Sequence, residues 1–270
     1  MNASVFKKGC ALAGGIISAV FTVVPEDVFM LGFIPCNWSD STVVLVNRLI
    51  LCVAVIILAC AGYCLFLRSR RSVTISDRTF SIKVEYNDLF AINMGKKVIN
   101  FDECFSTKVG DNPEDIKPDS VCGQYLAKYP IDDMQRLIDG SGIRSTGLSQ
   151  YNKRVKYAPG TVIKRDDFLL MAFAKLDKMG LSHLDYDEYL ECLNRLWLEI
   201  DHYHGTDDVY LPILGSRIVR FERDFTQQEL LDIMIASYRL SPKKMKKPNT
   251  LHIVCRERED FSLNDIYGVE

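Results

Sequence analysis

Nineteen consecutive uncharged residues, Leu49 to Leu67, constrain this chain more than any other feature. They read Leu-Ile-Leu-Cys-Val-Ala-Val-Ile-Ile-Leu-Ala-Cys-Ala-Gly-Tyr-Cys-Leu-Phe-Leu, and Val43 to Val46 extend the run outward. A stretch this long and apolar is expected to cross a membrane as a helix, because only a helix pairs all its backbone groups within the segment.

A second uncharged run, Gly9 to Val24, precedes it. Its sixteen residues make about 24 Å of helix, slightly short for a hydrocarbon core of about 30 Å. A cleaved signal peptide is the rival reading of this first run. The second run weighs against it, so the expectation for residues 1–72 is a two-helix transmembrane hairpin with spans at about 9–24 and 43–67. Lys7 and Lys8 precede the first span, and Arg68, Arg70 and Arg71 follow the second. The connection holds Glu26, Asp27 and Asp40 and no basic residue. Positive flanks stay on the cytoplasmic side, so both termini are expected inside and the connection outside. Arg48 is expected to snorkel to the headgroups, and Val28 to Trp38 to lie at the outer interface with Trp38 as anchor. Ala11, Gly15 and Ala19, and likewise Gly14 and Ser18, recur every four residues. Such spacing lets helix backbones approach, either within the hairpin or between copies of the chain.

Charge is uneven along the chain. Six of the 33 basic and three of the 35 acidic residues lie in 1–72, which leaves 73–270 at a net −5. Nothing in that balance suggests a nucleic-acid partner. About 200 residues are ample for one domain with its own core. Of nine cysteines, Cys10, Cys36, Cys52, Cys60 and Cys64 belong to the apolar region and the other four show no CxxC spacing. They read as small buried hydrophobes in a reducing compartment.

Residues 73–270 alternate strand and helix signals, which predicts an α/β/α layered domain with a central mixed sheet. Val73–Ile75 and Thr79–Val84 read as a hairpin, and Val98–Phe101 as a further strand. Residues 120–129 and 131–138 read as short helices, with loops at 108–119 and 140–150. The run 167–176 suits a central strand. Ser182-His183-Leu184-Asp185 has capping-box-like spacing before a helix whose Tyr189, Leu193, Leu196, Trp197 and Ile200 share a face. Val209 to Ile213 is a strand that breaks at Leu214-Gly215-Ser216, and Thr226-Gln227-Gln228-Glu229 opens the next helix. Strand, glycine loop and helix in that order can hold phosphates, since glycine lets the backbone come close to an oxyanion. Leu251 to Cys255 is the last strand. His202, His204, Asp207 and Asp208 include metal-ligand types, but on a polar loop they read as solvated, and so do Lys243 to Lys247.

Three motifs in this order resemble those of the macro domain, the ADP-ribose-binding fold. The two-span anchor makes the resemblance closer to the membrane-anchored macro effectors of bacterial Thoeris anti-phage systems. Asn87-Asp88-Leu89-Phe90 is similar to the family's Gly-Asp-Ile-Thr, whose aspartate accepts from the adenine amino group. Val98 to Thr107 is similar to the strand and loop beside the distal ribose, which implicates Asn100, Asp102 and Glu103. Leu211 to Ile218 is similar to the diphosphate loop, which implicates Leu214, Gly215, Ser216, Arg217 and Ile218; Pro159-Gly160-Thr161 is similar to a second pocket segment. With Asp88 and Leu89, these are the ligand-binding residues the resemblance implies. Three positions depart from the family: Asn87 replaces a glycine, Asp102 stands where an asparagine is expected unless Asn100 is its equivalent, and Arg217 replaces a glycine.

The resemblance implies an effector without a catalytic or metal site. A partner TIR-domain enzyme would supply an ADP-ribose-type nucleotide signal, histidine-ADP-ribose in this family. The cytoplasmic domain would bind it, the chains would form a homo-oligomer, and the spans would disrupt the lipid bilayer. Two alternatives stay open: an anchored ADP-ribosyl hydrolase using Asp102 or Glu103 as base, and a reader that recruits ADP-ribosylated partners to the membrane.

Overall fold

The computed structural model describes residues 3–30, 39–216, 220–221, 223–257 and 261–266. It falls into two compact units, Met1–Arg70 and Arg71–Glu270.

The first unit holds α1 (Ala3–Val23), a 3-10 helix over Glu26–Met30, and α2 (Asp40–Ser69). Among the described residues α2 is the one helix long and apolar enough to cross a membrane, with a mean hydropathy of 2.8 over a window only 6% buried. An apolar helix left so bare is not the core helix of a soluble domain. It packs antiparallel on α1: Gly9 lies against Cys60, while Phe21 lies near Arg48 at the other end. The glycine in close contact is Gly9, since Gly14 and Gly15 have open space around them. Arg48 is also held within the unit, its guanidinium over the rings of Phe21 and Phe29 and 3.5 Å from the Glu26 carboxylate. Next to it, buried Asn47 donates to the Phe29 carbonyl at 2.8 Å, which ties the 3-10 helix to α2. Trp38 lies outside the described residues.

The second unit opens with the antiparallel pair β1 (Ser72–Ser76) and β2 (Ser81–Tyr86), then β3 (Lys96–Asp102). Two short helices follow, α3 (Val121–Lys128) and α4 (Met134–Ser141), then the small hairpin β4 (Gly147–Leu148) and β5 (Val155–Lys156). Next come β6 (Val162–Arg165), β7 (Phe168–Leu176), β8 (Ser182–His183), α5 (Tyr186–Tyr203), β9 (Val209–Pro212), α6 (Gln227–Leu240) and β10 (Leu251–Cys255). The sheet order is β1-β2-β10-β9-β3-β7-β6, with β8 on β7. Strands β2, β10, β9, β3 and β7 are mutually parallel, and β1, β6 and β8 pair antiparallel. This is the mixed α/β sheet the strand pattern predicts.

Alternation along the strands divides the core. Val98, Leu169 and Met171 face a layer with Leu193, Trp197, Met234 and Tyr238 of α5 and α6. Their neighbours Ile99, Leu170 and Ala172 face Tyr125, Leu126 and Ile138 of α3 and α4. Because both faces are covered, β7 is apolar at nearly every position, as a central strand must be. Each fully buried Leu or Ile contributes about 1.5–3 kcal/mol.

Helix starts follow the capping chemistry. Thr226 and Glu229 form a full capping box on α6, as their spacing predicts. On α5 the box is Asp185 with Glu188, three residues later than Ser182. Ser182 and His183 instead form β8 against Leu176 and Lys175, so a strand pairing overrode the local signal. Helix α4 likewise starts after its cap Asp133, later than its sequence suggests.

Candidate functional site

Parallel strands aligned in one direction bring their carboxyl ends to one edge of the sheet, where α/β folds leave a crevice. Here that edge carries two chambers. The first, about 310 Å³, lies beyond β2, β10 and β9; Asp88, Leu89, Pro212, Ser216, Gln227 and Val254 help to line it. The second, about 330 Å³, lies beyond β3 and β7; Asn100, Asp102, Lys117, Cys122, Ala174 and Arg220 help to line it. The start of α3 is the partition. Asp119 and Val121 line the first chamber, while Ser120 and Cys122 line the second. This turn is rigid: the Ser120 hydroxyl caps the Gly123 N–H at 2.9 Å, and a side chain on Gly123 would meet the Lys117 carbonyl at 2.2 Å.

In the first chamber Asp88 is exposed. Its Oδ1 accepts from the Phe90 N–H at 3.0 Å, and its own N–H donates to Asn87 Oδ1 at 2.8 Å. The second oxygen is oriented by that turn. Buried Leu89 supplies an apolar floor beside it.

In the second chamber the β3 ladder shifts register between Phe101 and Asp102. Asp102 Oδ1 accepts from the N–H groups of Cys104 at 2.8 Å and Ser106 at 3.2 Å. Burial raises the Asp102 carboxyl above its usual range, against the pull of Ser106, Cys104 and Arg154. Asn100 contributes a buried Oδ1 without a hydrogen-bond partner. A buried orphan acceptor costs about 1–3 kcal/mol and calls for an explanation. The nearby thiols are not nucleophiles: burial pushes Cys104 up to about 11 and Cys122 well above the usual thiol range.

Between the chambers runs the loop after β9. Tyr189 donates to the Leu214 carbonyl at 3.2 Å, and the Leu214 N–H points to Met234 Sδ at 3.4 Å, so α5 and α6 fix where the loop begins. Gly215 follows with φ +83°, and Ser216 donates back to the Ile213 carbonyl at 3.1 Å. Arg217 and Ile218 lie outside the described residues.

Asp88, Leu89 and Ser216 therefore meet in one chamber and Asn100 and Asp102 in the other, while Leu214 and Gly215 line neither. Three other candidates line neither chamber, although Glu103 lines a third cavity beside the second. Glu103 is 2% exposed; its Oε1 accepts from the Ser149 hydroxyl and from the Leu176 N–H at 3.2 Å. Gly160 is packed on α5, where a Cβ would meet the Cys192 carbonyl at 2.5 Å, and Thr161 N–H closes a turn on Ala158. Neither Gly160 nor Thr161 lines either chamber. Sequence reasoning passed over Lys117, the first turn of α3, Arg220, Gln227 and the end of β10. Their common signal is position at the carboxyl edge, which appears only once strand order is known.

A third cavity, about 380 Å³, adjoins the second chamber and shares Leu176 and Arg220 with it. Lys175, His183 and Glu188 line it, with Lys175 ion-paired to Glu188. The Nδ1 of His183 is buried without a hydrogen-bond partner. On the opposite side of the domain Asp207 pairs with Lys96 at 2.8 Å and Asp208 accepts from the Thr250 N–H at 2.7 Å. Those two acids of the histidine-rich loop are engaged by the protein itself.

A mixed sheet with two neighbouring chambers at its parallel edge, each holding a carboxylate, has the form of an α/β ligand-binding domain. The chain belongs to the family described as Thoeris protein ThsA, Macro domain, which matches residues 82–256. It is similar to the Thoeris protein ThsA of Bacillus amyloliquefaciens (strain Y2), 29% identical over 208 residues, covering 72% of this chain and 68% of that protein. Among solved structures it is similar to a mutant macrodomain of Oceanobacillus iheyensis, with a TM-score of 0.46 and 11% identity over 71% of this chain and 93% of that one. A second mutant of the same macrodomain, solved with ADPR, has a TM-score of 0.41 and 10% identity over 70% and 92% of the two chains.

Proposed function

We propose that this protein is an anti-phage membrane effector whose second unit senses an ADP-ribose-type nucleotide made by a partner TIR-domain enzyme. The observation that carries the reading is the pair of chambers, with Asp88 in one and the orphan Asn100 acceptor in the other. An adenosine in the first chamber would give its amino group to Asp88. The diphosphate would cross the partition, where the start of α3 and the Gly215 loop favour an anion. The distal ribose would give hydroxyls to Asn100 and Asp102. In histidine-ADP-ribose the added group would then extend past Arg220 into the third cavity.

Sensing fits better than hydrolysis. Glu103 Oε1 is committed to the fold, where it accepts from the Ser149 hydroxyl and the Leu176 N–H. The nearby thiols are neutral. A sensor must instead prefer the assembled state when ligand is bound. On this reading α1 and α2 both span the inner membrane, the termini and the second unit are cytoplasmic, and ligand-driven homo-oligomers break the bilayer.

Calorimetry on the detergent-solubilised chain tests the site. ADP-ribose should bind, and histidine-ADP-ribose should bind more tightly. Asp88→Ala should weaken both at least tenfold, a loss of about 1.4 kcal/mol. Recovery of unchanged ligand alongside a rise in oligomeric state would support the sensor. Steady conversion to free ADP-ribose without assembly would favour the hydrolase.

A further inference from the structure

We propose that Arg154, acting through the Ser106 hydroxyl, is the positioning residue that holds the Asp102 carboxylate as an acceptor in the wall of the second chamber. The inference rests on the binding function proposed above and extends it to a residue outside the crevice.

Arg154 Nη1 donates to Ser106 Oγ at 2.6 Å. The Ser106 N–H in turn donates to Asp102 Oδ1 at 3.2 Å, and the Ser106 side chain helps to hold the Asp102 carboxyl down. Arginine can only donate, so the serine hydroxyl accepts from Arg154 and its own proton is left for the carboxylate. Ser106 itself is buried, so this link is shielded where it meets the carboxylate.

Backbone conformation reinforces the link from both ends. Phe105, immediately before Ser106, has φ +51°, and Asn152 and Lys153, immediately before Arg154, have φ +49° and +50°. None of the three is glycine, and the left-handed conformation is unfavourable for phenylalanine and lysine and less so for asparagine. Phe105 keeps its conformation because its ring is packed between Phe101 and Tyr157. The β4–β5 hairpin that carries Arg154 is pinned a second time, by Ser149 to Glu103. Three strained residues thus converge on two contacts, and both contacts end on the turn that presents Asp102.

Burial pushes the Asp102 carboxyl up, and a protonated carboxyl is a weaker acceptor for ribose hydroxyls than the carboxylate, with one oxygen turned into a donor. The charged group that acts on Asp102 is Arg154, and the Cys104 and Cys122 thiols lie beside it; Glu114, Lys117 and Arg220 line the same chamber, with Lys117 Nζ held by the Asp111 and Asn112 carbonyls. Asp115 is neutralised by Lys108 at 2.9 Å. Arg154 is the cation linked to Asp102 by hydrogen bonds, and because it is exposed its pull is moderated by solvent.

The test is the pH dependence of ADP-ribose binding to the full chain in detergent. Wild-type affinity should fall as pH drops and Asp102 takes up a proton. In Arg154→Gln the midpoint should move upward by about half a unit to one unit. Ser106→Ala should do the same, and Arg154→Lys should restore part of the wild-type profile. Infrared difference spectra against Asp102→Asn read the carboxyl's protonation without ligand. They should show the same upward shift in Arg154→Gln. Identical profiles and identical infrared titrations in wild type and Arg154→Gln would overturn the positioning role. If wild type fails to bind ADP-ribose, the binding function falls, while the infrared titration still decides the role of Arg154.

Discussion

The ring of Phe221 occupies the space that a side chain on Gly215 would need: a Cβ there would lie 2.9 Å from both Cε2 and Cζ. The glycine also has φ +83°, so two independent reasons exclude other residues. Gly215→Ala should therefore cost about 1–3 kcal/mol of stability. It should also displace the loop between the chambers. The expected outcome is a lower melting temperature together with weaker ADP-ribose binding. A variant with wild-type melting and wild-type affinity would mean that the loop tolerates a side chain and does not contact the ligand.

Asn100 poses a trade of stability against binding. Its buried Oδ1 has no hydrogen-bond partner in the ligand-free protein. Asn100→Leu replaces the amide with an apolar group of similar size and removes that penalty, so thermal stability should rise or hold. Ligand affinity should fall tenfold or more, which is about 1.4 kcal/mol. Thermal unfolding with and without ADP-ribose measures both in one experiment. Destabilisation with affinity intact would make Asn100 a structural residue.

The first unit yields a contrast between two glycines. A Cβ on Gly9 would lie 2.8 Å from Cys60 Sγ, whereas one on Gly15 has nothing within 4 Å. Gly9→Leu should force α1 from α2 and reduce oxidative cross-linking of Cys10, the next residue, to Cys60 in membranes. Gly15→Leu should leave that cross-link unchanged and weaken ligand-dependent loss of membrane potential, if the open face of α1 meets another copy. Equal cross-linking in both variants would contradict the packing described here.

Much of this was legible in the sequence. The apolar run of α2 announces itself because an uncharged helix of that length has few other uses. The Thr226–Glu229 capping box reads directly, since the contacts that start a helix lie within four residues. Asp88 and Asn100 were singled out only through the resemblance of their motifs to those of the macro domain. The start of α5 was misplaced because Ser182 and His183 pair back on Lys175 and Leu176 across the turn after β7, and helix-start spacing carries no sign of a strand pairing. Arg154 left no trace at all: its partner Ser106 lies 48 residues away, and nothing near either residue foretells the meeting.

Glycine marks the boundary between the two kinds of information. Gly160 and Gly215 both have positive φ, at +87° and +83°, and both let something approach the backbone closely. The sequence determined that much, because only glycine adopts that conformation without strain. What approaches was decided by the tertiary structure: the Cys192 carbonyl of α5 at Gly160, and the Phe221 ring, at the edge of the crevice, at Gly215. Local chemistry sets which backbone shapes a residue permits. Which surface fills the space that a missing side chain leaves depends on strand order, and strand order is a property of the whole sheet.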